Sequence, residues 1–185
     1  VTGHHFTLDE ENLTSFDSQF KMNPPLRTRE DIEAIIEGLA DGSIDAIVSD
    51  HAPHTLEEKA QPYTRCPSGG PLVQHVLPAL MEKFQEGVIP LETIVQKMCH
   101  NPAILFDVRE RGYLREGFYA DLTVVSPNTP WTVNKENILY KCGWSPFEGQ
   151  RFQSSVLYTF VNGHLAFEKG RISEKRNAMR LTFDR

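Results

Sequence analysis

Hydrophobic and polar positions along this chain change period twice. Residues 29–40 set Ile32, Ile35, Ile36 and Leu39 three and four apart, which predicts a helix with one apolar face. Thr28 precedes it as a cap with Asp31 as its capping-box partner, and Gly42 follows as the stop. Residues 44–49 (IDAIVS) are a short apolar run with β-branched members and predict a strand. A polar, irregular stretch over 55–70 (TLEEKAQPYTRCPSGG) reads as a long loop of the functional kind. Helical spacing returns over residues 71–85, where Val73, Val76, Leu77, Leu80 and Phe84 recur, then over 91–99 and in a short piece after Asn101 and Pro102. From Gly112 the pattern is that of strands, at 120–125, 155–162 and 164–168, with Asn162 and Gly163 as a tight hairpin turn. The opening VTGHHFTL reads as the end of a strand.

Helix, turn, strand and polar loop in that order predict an α/β chain whose helices form the outside of a βα barrel. The run of short strands predicts a second, small β-domain starting near residues 109–112. With 185 residues, 39% of them apolar, the chain is long enough for one sizeable core or two small ones. A formal charge of −6 with scattered lysines and arginines argues against nucleic acid as a partner. No apolar run reaches the roughly 20 residues of a membrane span, and the amino end lacks the pattern of a signal peptide, so a cytoplasmic protein without a membrane partner is expected. Three dispersed cysteines suit reduced thiols. Because it opens at Val1 without a methionine, the sequence is expected to be a piece of a longer chain.

The candidate chemistry centres on DHAPH, from Asp50 to His54. In a βα barrel the carboxyl ends of strands line the active mouth, so a carboxylate ending the 44–49 run faces a ligand and not the core. KMNPPLR places Asn23 on the loop before the preceding helix, held extended by two prolines, so that Asn23 and Asp50 arrive at the same barrel face. PSGG, residues 67–70, supplies backbone amides where a helix is predicted to begin, which suits an oxygen-rich ligand.

KMNPPLR, DHAPHTLEEKAQ, NPAILF, GYLREGFYADLTVVSP and CGWSPFEGQ, in this order, resemble the carboxyl-terminal part of a dihydroorotase of the amidohydrolase superfamily. The resemblance implies the last strands and helices of a (β/α)8 TIM-type barrel over residues 1–110, then part of a small β-sandwich domain and tail over 111–185. It implies a Zn2+-dependent, reversible hydrolysis of dihydroorotate to N-carbamoyl-L-aspartate, with one or two ions per complete site. Asp50 takes the place of a zinc ligand and general acid/base, and Asn23, His54, Ser68 and Gly69 that of substrate contacts. The remaining ligands, an HxH among them, would belong to the missing amino-terminal part of the barrel, so the 185 residues alone are expected to be inactive. The expected partners are the small-molecule substrate, that missing part and a second copy in a homodimer. Allantoinases, dihydropyrimidinases and hydantoinases, or a non-catalytic dihydroorotase-like scaffold, are the alternatives. His4 and His5 resemble a TPHH segment with Gly3 in place of proline and read as structural, and His51 reads as orienting its loop. His75, His100 and His164 have no partner motif, Lys21 and Arg27 read as solvated loop charges, and CGWSPFEG as packing or a domain contact.

Overall fold

The computed structural model describes residues 1–13, 16–175 and 177–184. Helix α1, Arg29–Asp41, forms where its apolar spacing predicts. Thr28 and Asp31 close the capping box at its start, and Gly42 ends it in the left-handed region at φ 90. Leu39 is buried, and Ile32, Ile35 and Ile36 pack against the same core.

Residues 44–49 lie where a strand is expected, but among the described residues they form one bridge, parallel, between Thr2 and Val48. The Val48 N–H donates to the Val1 carbonyl and the Gly3 N–H to the Val48 carbonyl, both at 2.9 Å. A ladder needs a neighbour of matching length, and the neighbouring segment in this chain is spent after two residues. There the expected opening strand turns instead into a short 3-10 helix, Gly3–Phe6, which buries His4 and Phe6.

A single-turn helix α2, Leu56–Lys59, stands in the stretch read as loop, capped by Thr55 and Glu58. Helix α3, Val76–Gln85, begins five residues later than its spacing suggests. The N–H groups of Leu72 and Val73 donate to His51 Nδ1, and that of Gln74 to the Tyr140 hydroxyl at 2.9 Å. Side chains distant in sequence thus take the backbone donors at the approach to the helix, and Val73, assigned to the apolar face, is 59% exposed. Helix α4, Leu91–Val95, runs through a wide π turn, Gln96–His100, into α5, Asn101–Leu105, where a break was expected. Pro102 has no N–H to give to a carbonyl four residues back, and the wider turn before it accommodates that loss.

The strands are β1 Leu122–Ser126, β2 Trp131–Thr132, β3 Arg151–Phe152, β4 Ser155–Val161, β5 His164–Glu168 and β6 Arg171–Ile172. An antiparallel sheet runs β1-β4-β5-β6, while β2 and β3 pair separately. The main core does not stop at the sheet: Val133, Phe147 and Phe152 share one cluster with Phe6, Leu26, Leu39, Leu72 and Leu80.

His75 joins these parts. It is fully buried, with Nδ1 3.0 Å from the Tyr140 hydroxyl and 3.1 Å from the Ser145 hydroxyl, among the rings of Trp131, Phe147 and Phe152. Burial pulls its pKa down to about 4, and burial, with a smaller contribution from His5, does the same to His4. Both are neutral when folded and protonate near the ordinary 6.5 when unfolded. Their contribution is therefore complete above about pH 6.5 and is lost as pH falls from there towards 4, by as much as ~3 kcal/mol each. We expect the free energy of unfolding, measured in denaturant at stepped pH, to fall over that window. In His75→Gln the slope should diminish by about one proton, and an unchanged slope would contradict the assignment.

Candidate functional site

The PSGG turn draws the sequence-predicted residues together. Ala52 N–H donates to the Gly70 carbonyl at 3.1 Å and His51 bridges to Gly70 in parallel, so the turn runs beside DHAPH. On its other side Gly69 N–H donates to the Lys21 carbonyl at 2.9 Å, which ties in the loop carrying Asn23. His54 Nε2 lies 3.1 Å from the Ser68 carbonyl, and because a carbonyl only accepts, the ring donates there. Asn23, Asp50, His54, Ser68 and Gly69 thus sit on three segments stitched at one place.

Asp50 is exposed and adopts φ 47, a left-handed conformation that side chains other than Asp and Asn seldom take. Its carboxylate and the Asn23 amide, also exposed, make no hydrogen bond within the described residues. His54 is more constrained, since Glu58 stands 3.3 Å from Nδ1 and Trp144 Nε1 donates to its carbonyl at 2.8 Å. The amide expected to be open at Gly69 is instead engaged with Lys21, and no helix begins at the turn, so PSGG is first a structural joint.

Two side chains that the sequence did not single out organise this place. Lys59 is 1% exposed and its ammonium reaches the carbonyls of Lys21, Pro67 and Gly69. Trp144, from CGWSPFEG, is 2% exposed and lies over that ammonium, 5.8 Å from nitrogen to ring centre. Burial, with Lys21 adding to it, lowers the Lys59 pKa below the usual lysine range. Lys21 is not a solvated loop charge: its ammonium donates to the carbonyls of Tyr63 and Cys66 at 2.7 and 2.8 Å. His51 does anchor its loop, by accepting from Leu72 and Val73. His5 lies 3.0 Å from the Pro24 carbonyl, next to Asn23, while His100 stacks on Tyr113 and lies 2.6 Å from the Gly112 carbonyl. His75, which has no partner motif in sequence, is the core junction described above. The signals for Lys59 and Trp144 were faint: the Thr55–Glu58 capping box announces a turn of helix, but nothing local says which face it buries.

Among the described residues no three His, Cys, Asp or Glu side chains gather as a metal cluster. The residues of this chain therefore do not by themselves fit a zinc ion, and Asp50 offers a single carboxylate where stable zinc sites use three or four ligands. No described helix is long and apolar enough to cross a membrane.

Comparison with known proteins gives this geometry a context. The amidohydrolase family profile matches residues 1–166. The dihydroorotase of Bacillus cereus (strain AH820) is 42% identical over 170 residues, 91% of this chain and 40% of that protein. The dihydroorotase of Caldanaerobacter subterraneus subsp. tengcongensis is 39% identical over 177 residues, 95% of this chain and 40% of that protein. Among solved structures, the L-hydantoinase (dihydropyrimidinase) of Arthrobacter aurescens aligns with a TM-score of 0.84 at 27% identity, covering 93% of this chain and 39% of the other. The chain spans about two fifths of the length of the curated relatives it matches.

Gly69 provides a direct check on the joint. At φ 114 it occupies a region side chains avoid, and a Cβ there would lie 2.8 Å from the Ala52 Cβ and 2.9 Å from the Ala52 carbonyl oxygen. Gly69→Ala should lower the free energy of unfolding by about 2–3 kcal/mol from backbone strain and contact with Ala52. A loss under about 0.5 kcal/mol in denaturant titration, the size of an ordinary surface change, would refute the close approach.

Proposed function

This chain belongs to the amidohydrolase family, and on that premise we propose that it is the carboxyl-terminal part of a cytoplasmic dihydroorotase. The reaction is the reversible hydrolysis of dihydroorotate to N-carbamoyl-L-aspartate, a step of pyrimidine synthesis. The observation that carries the reading is the joining of the Asn23, Asp50 and His54 segments at one turn, in a chain about 40% identical to proteins named dihydroorotase. We assign residues 1–110 to the end of a (β/α)8 barrel and 111–185 to a small β-sandwich domain and tail, with Val133, Phe147 and Phe152 reaching back into the barrel core.

In this proposal Asp50 is the proton carrier. Water adds to the ring amide carbonyl, the C–N bond breaks, and the carboxylate takes the proton that water gives up and passes it to the departing nitrogen. Exposed two residues after the bridge at Val48, Asp50 is open to a ring entering from solvent. Asn23, on the neighbouring loop, hydrogen-bonds the substrate, and His54 meets its carboxylate through a charge-assisted bond at Nδ1, the substrate taking the place of Glu58 there. Ser68 meets the ring edge through its backbone N–H, and Gly69 through the carbonyl lone pair that Lys59 does not take. Zinc, the ion the resemblance implies, supplies an activated water when bound, and ligands besides Asp50 have to come from outside these residues. The 185 residues alone are then inactive.

A hydantoinase or dihydropyrimidinase is the second reading, favoured by the Arthrobacter aurescens structure. Full-length protein assayed on dihydroorotate, dihydrouracil, hydantoin and allantoin separates the two, with turnover of dihydroorotate expected. Turnover of another ring alone replaces the substrate, and turnover of none points to a scaffold. In the active enzyme Asp50→Ala should reduce kcat about 10³-fold with the circular dichroism spectrum unchanged. Asn23→Ala and His54→Ala should raise KM roughly 10- to 100-fold, as for a lost hydrogen bond to a charged group. An Asp50→Ala enzyme that keeps a tenth of its activity defeats the assignment.

A further inference from the structure

Lys59 faces three backbone carbonyls, one on the loop that carries Asn23 and two on the PSGG turn. Its Nζ lies 3.3 Å from the Lys21 oxygen, two residues before Asn23, 3.1 Å from the Pro67 oxygen, next to Ser68, and 3.0 Å from the oxygen of Gly69 itself. An ammonium has three N–H donors and no acceptor, so these oxygens use its whole capacity. Above it lies the Trp144 ring, whose own N–H holds the His54 carbonyl at 2.8 Å.

The local sequence explains how the side chain comes to point inward. Thr55 and Glu58 cap α2, and Glu58 uses the same oxygen, Oε2, for the Thr55 N–H and for His54 Nδ1. That leaves Glu58 outside against His54 and turns Lys59 inside. Among the described residues Lys59 makes no ion pair with a carboxylate, so the buried charge is balanced by carbonyl dipoles and the indole face. A buried cation so held fixes its acceptors, because releasing Pro67 or Gly69 leaves a carbonyl without a donor, while the Lys21 oxygen is held a second time by the Gly69 N–H.

We propose that Lys59 is the positioning residue of this site, with Trp144 as its lever on His54. One buried ammonium sets the spacing between the loop that carries Asn23 and the Ser68–Gly69 turn, and Trp144, lying over that ammonium, holds the His54 carbonyl in the same arrangement. This inference rests on the reading of those segments as the substrate-binding elements of a cyclic amide hydrolase. It concerns binding geometry and leaves the proton transfer to Asp50.

The test uses the full-length, metal-loaded enzyme and begins with the wild type on the four cyclic amides named above, the steady-state constants being taken on whichever is turned over. Lys59→Met keeps the length and removes the charge and donors. It should raise KM at least 10-fold while kcat changes less than about 3-fold, and Lys59→Arg should recover part of the loss. Trp144→Phe keeps a ring over the ammonium but removes the N–H on His54, and should raise KM severalfold with kcat preserved. A residue that served only the fold would lower the melting temperature and the fraction of active enzyme and leave KM alone. If KM stays within 2-fold of wild type in Lys59→Met, the proposal is overturned. If Lys59→Met does not fold, Trp144→Phe decides, and an unchanged KM there overturns it. A wild type that turns over a different ring changes the substrate assignment without touching this inference, whereas a wild type that turns over none defeats both.

Discussion

The structure of this site depends on backbone carbonyls that have left water and found a donor elsewhere in the chain. The oxygens of Lys21, His54, Pro67, Ser68 and Gly69 are met respectively by Lys59 and Gly69, Trp144, Lys59, His54, and again Lys59. A hydrogen bond of this kind contributes only about 1 kcal/mol net, but an abandoned carbonyl costs about 1–3 kcal/mol. The arrangement is therefore held less by the strength of any one bond than by the penalty on breaking it. That is how a stretch as polar as residues 55–70, most of it exposed, still buries Lys59, Cys66, Gly69 and Gly70, with Cys66 2% exposed and Lys59 1%.

What was legible in the sequence is what short-range chemistry decides. The cap, apolar face and stop of α1 are all local, and so is the Asn162–Gly163 turn between β4 and β5; both form where the residues predict. Elements that depend on distant partners were read less well. Residues 44–49 have the composition of a strand, but pairing needs a neighbour, and among the described residues Val48 finds it in Val1 to Gly3. The late start of α3 depends on His51 and Tyr140, which no window around residue 71 contains. The π turn before Pro102 shows the opposite case, a local cause whose effect was to widen a helix and not to end it.

The candidate site divides the same way. Asn23, Asp50 and His54 stand out because unusual residues cluster in short motifs, and the structure puts their segments side by side. Lys59 and Trp144 do not, since a lysine in LEEKAQ resembles any solvated charge and a tryptophan beyond residue 140 is far along the chain from DHAPH. Burial decides their role, and burial is a property of the assembled molecule. The shared core makes the point on a larger scale. Val133, Phe147 and Phe152 lie beyond the change to strand-like sequence, yet they pack with residues 6–94, and Trp144 is carried to His54 on that packing. A substitution in the CGWSPFEG segment can thus alter the site without touching Asn23, Asp50 or His54.

Asp50 remains to be explained on physical grounds, because its backbone is unfavourable. On one side Val48 is fixed by bonds to Val1 and Gly3, and on the other Ala52 is fixed to Gly70, so the chain between them has to turn sharply. It does so by placing Asp50 at φ 47, at a cost of order 1–2 kcal/mol for a residue with a side chain. Glycine would relieve that cost and a β-branched residue would increase it. Asparagine would fit the conformation as well as aspartate does, so the turn alone accounts for a short polar side chain and not for a charged one. No cation among the described residues pairs with the carboxylate, and no backbone N–H needs it as a cap. Within the described residues nothing in the packing requires that charge, and this is the observation that supports the proposed proton-carrying role of Asp50.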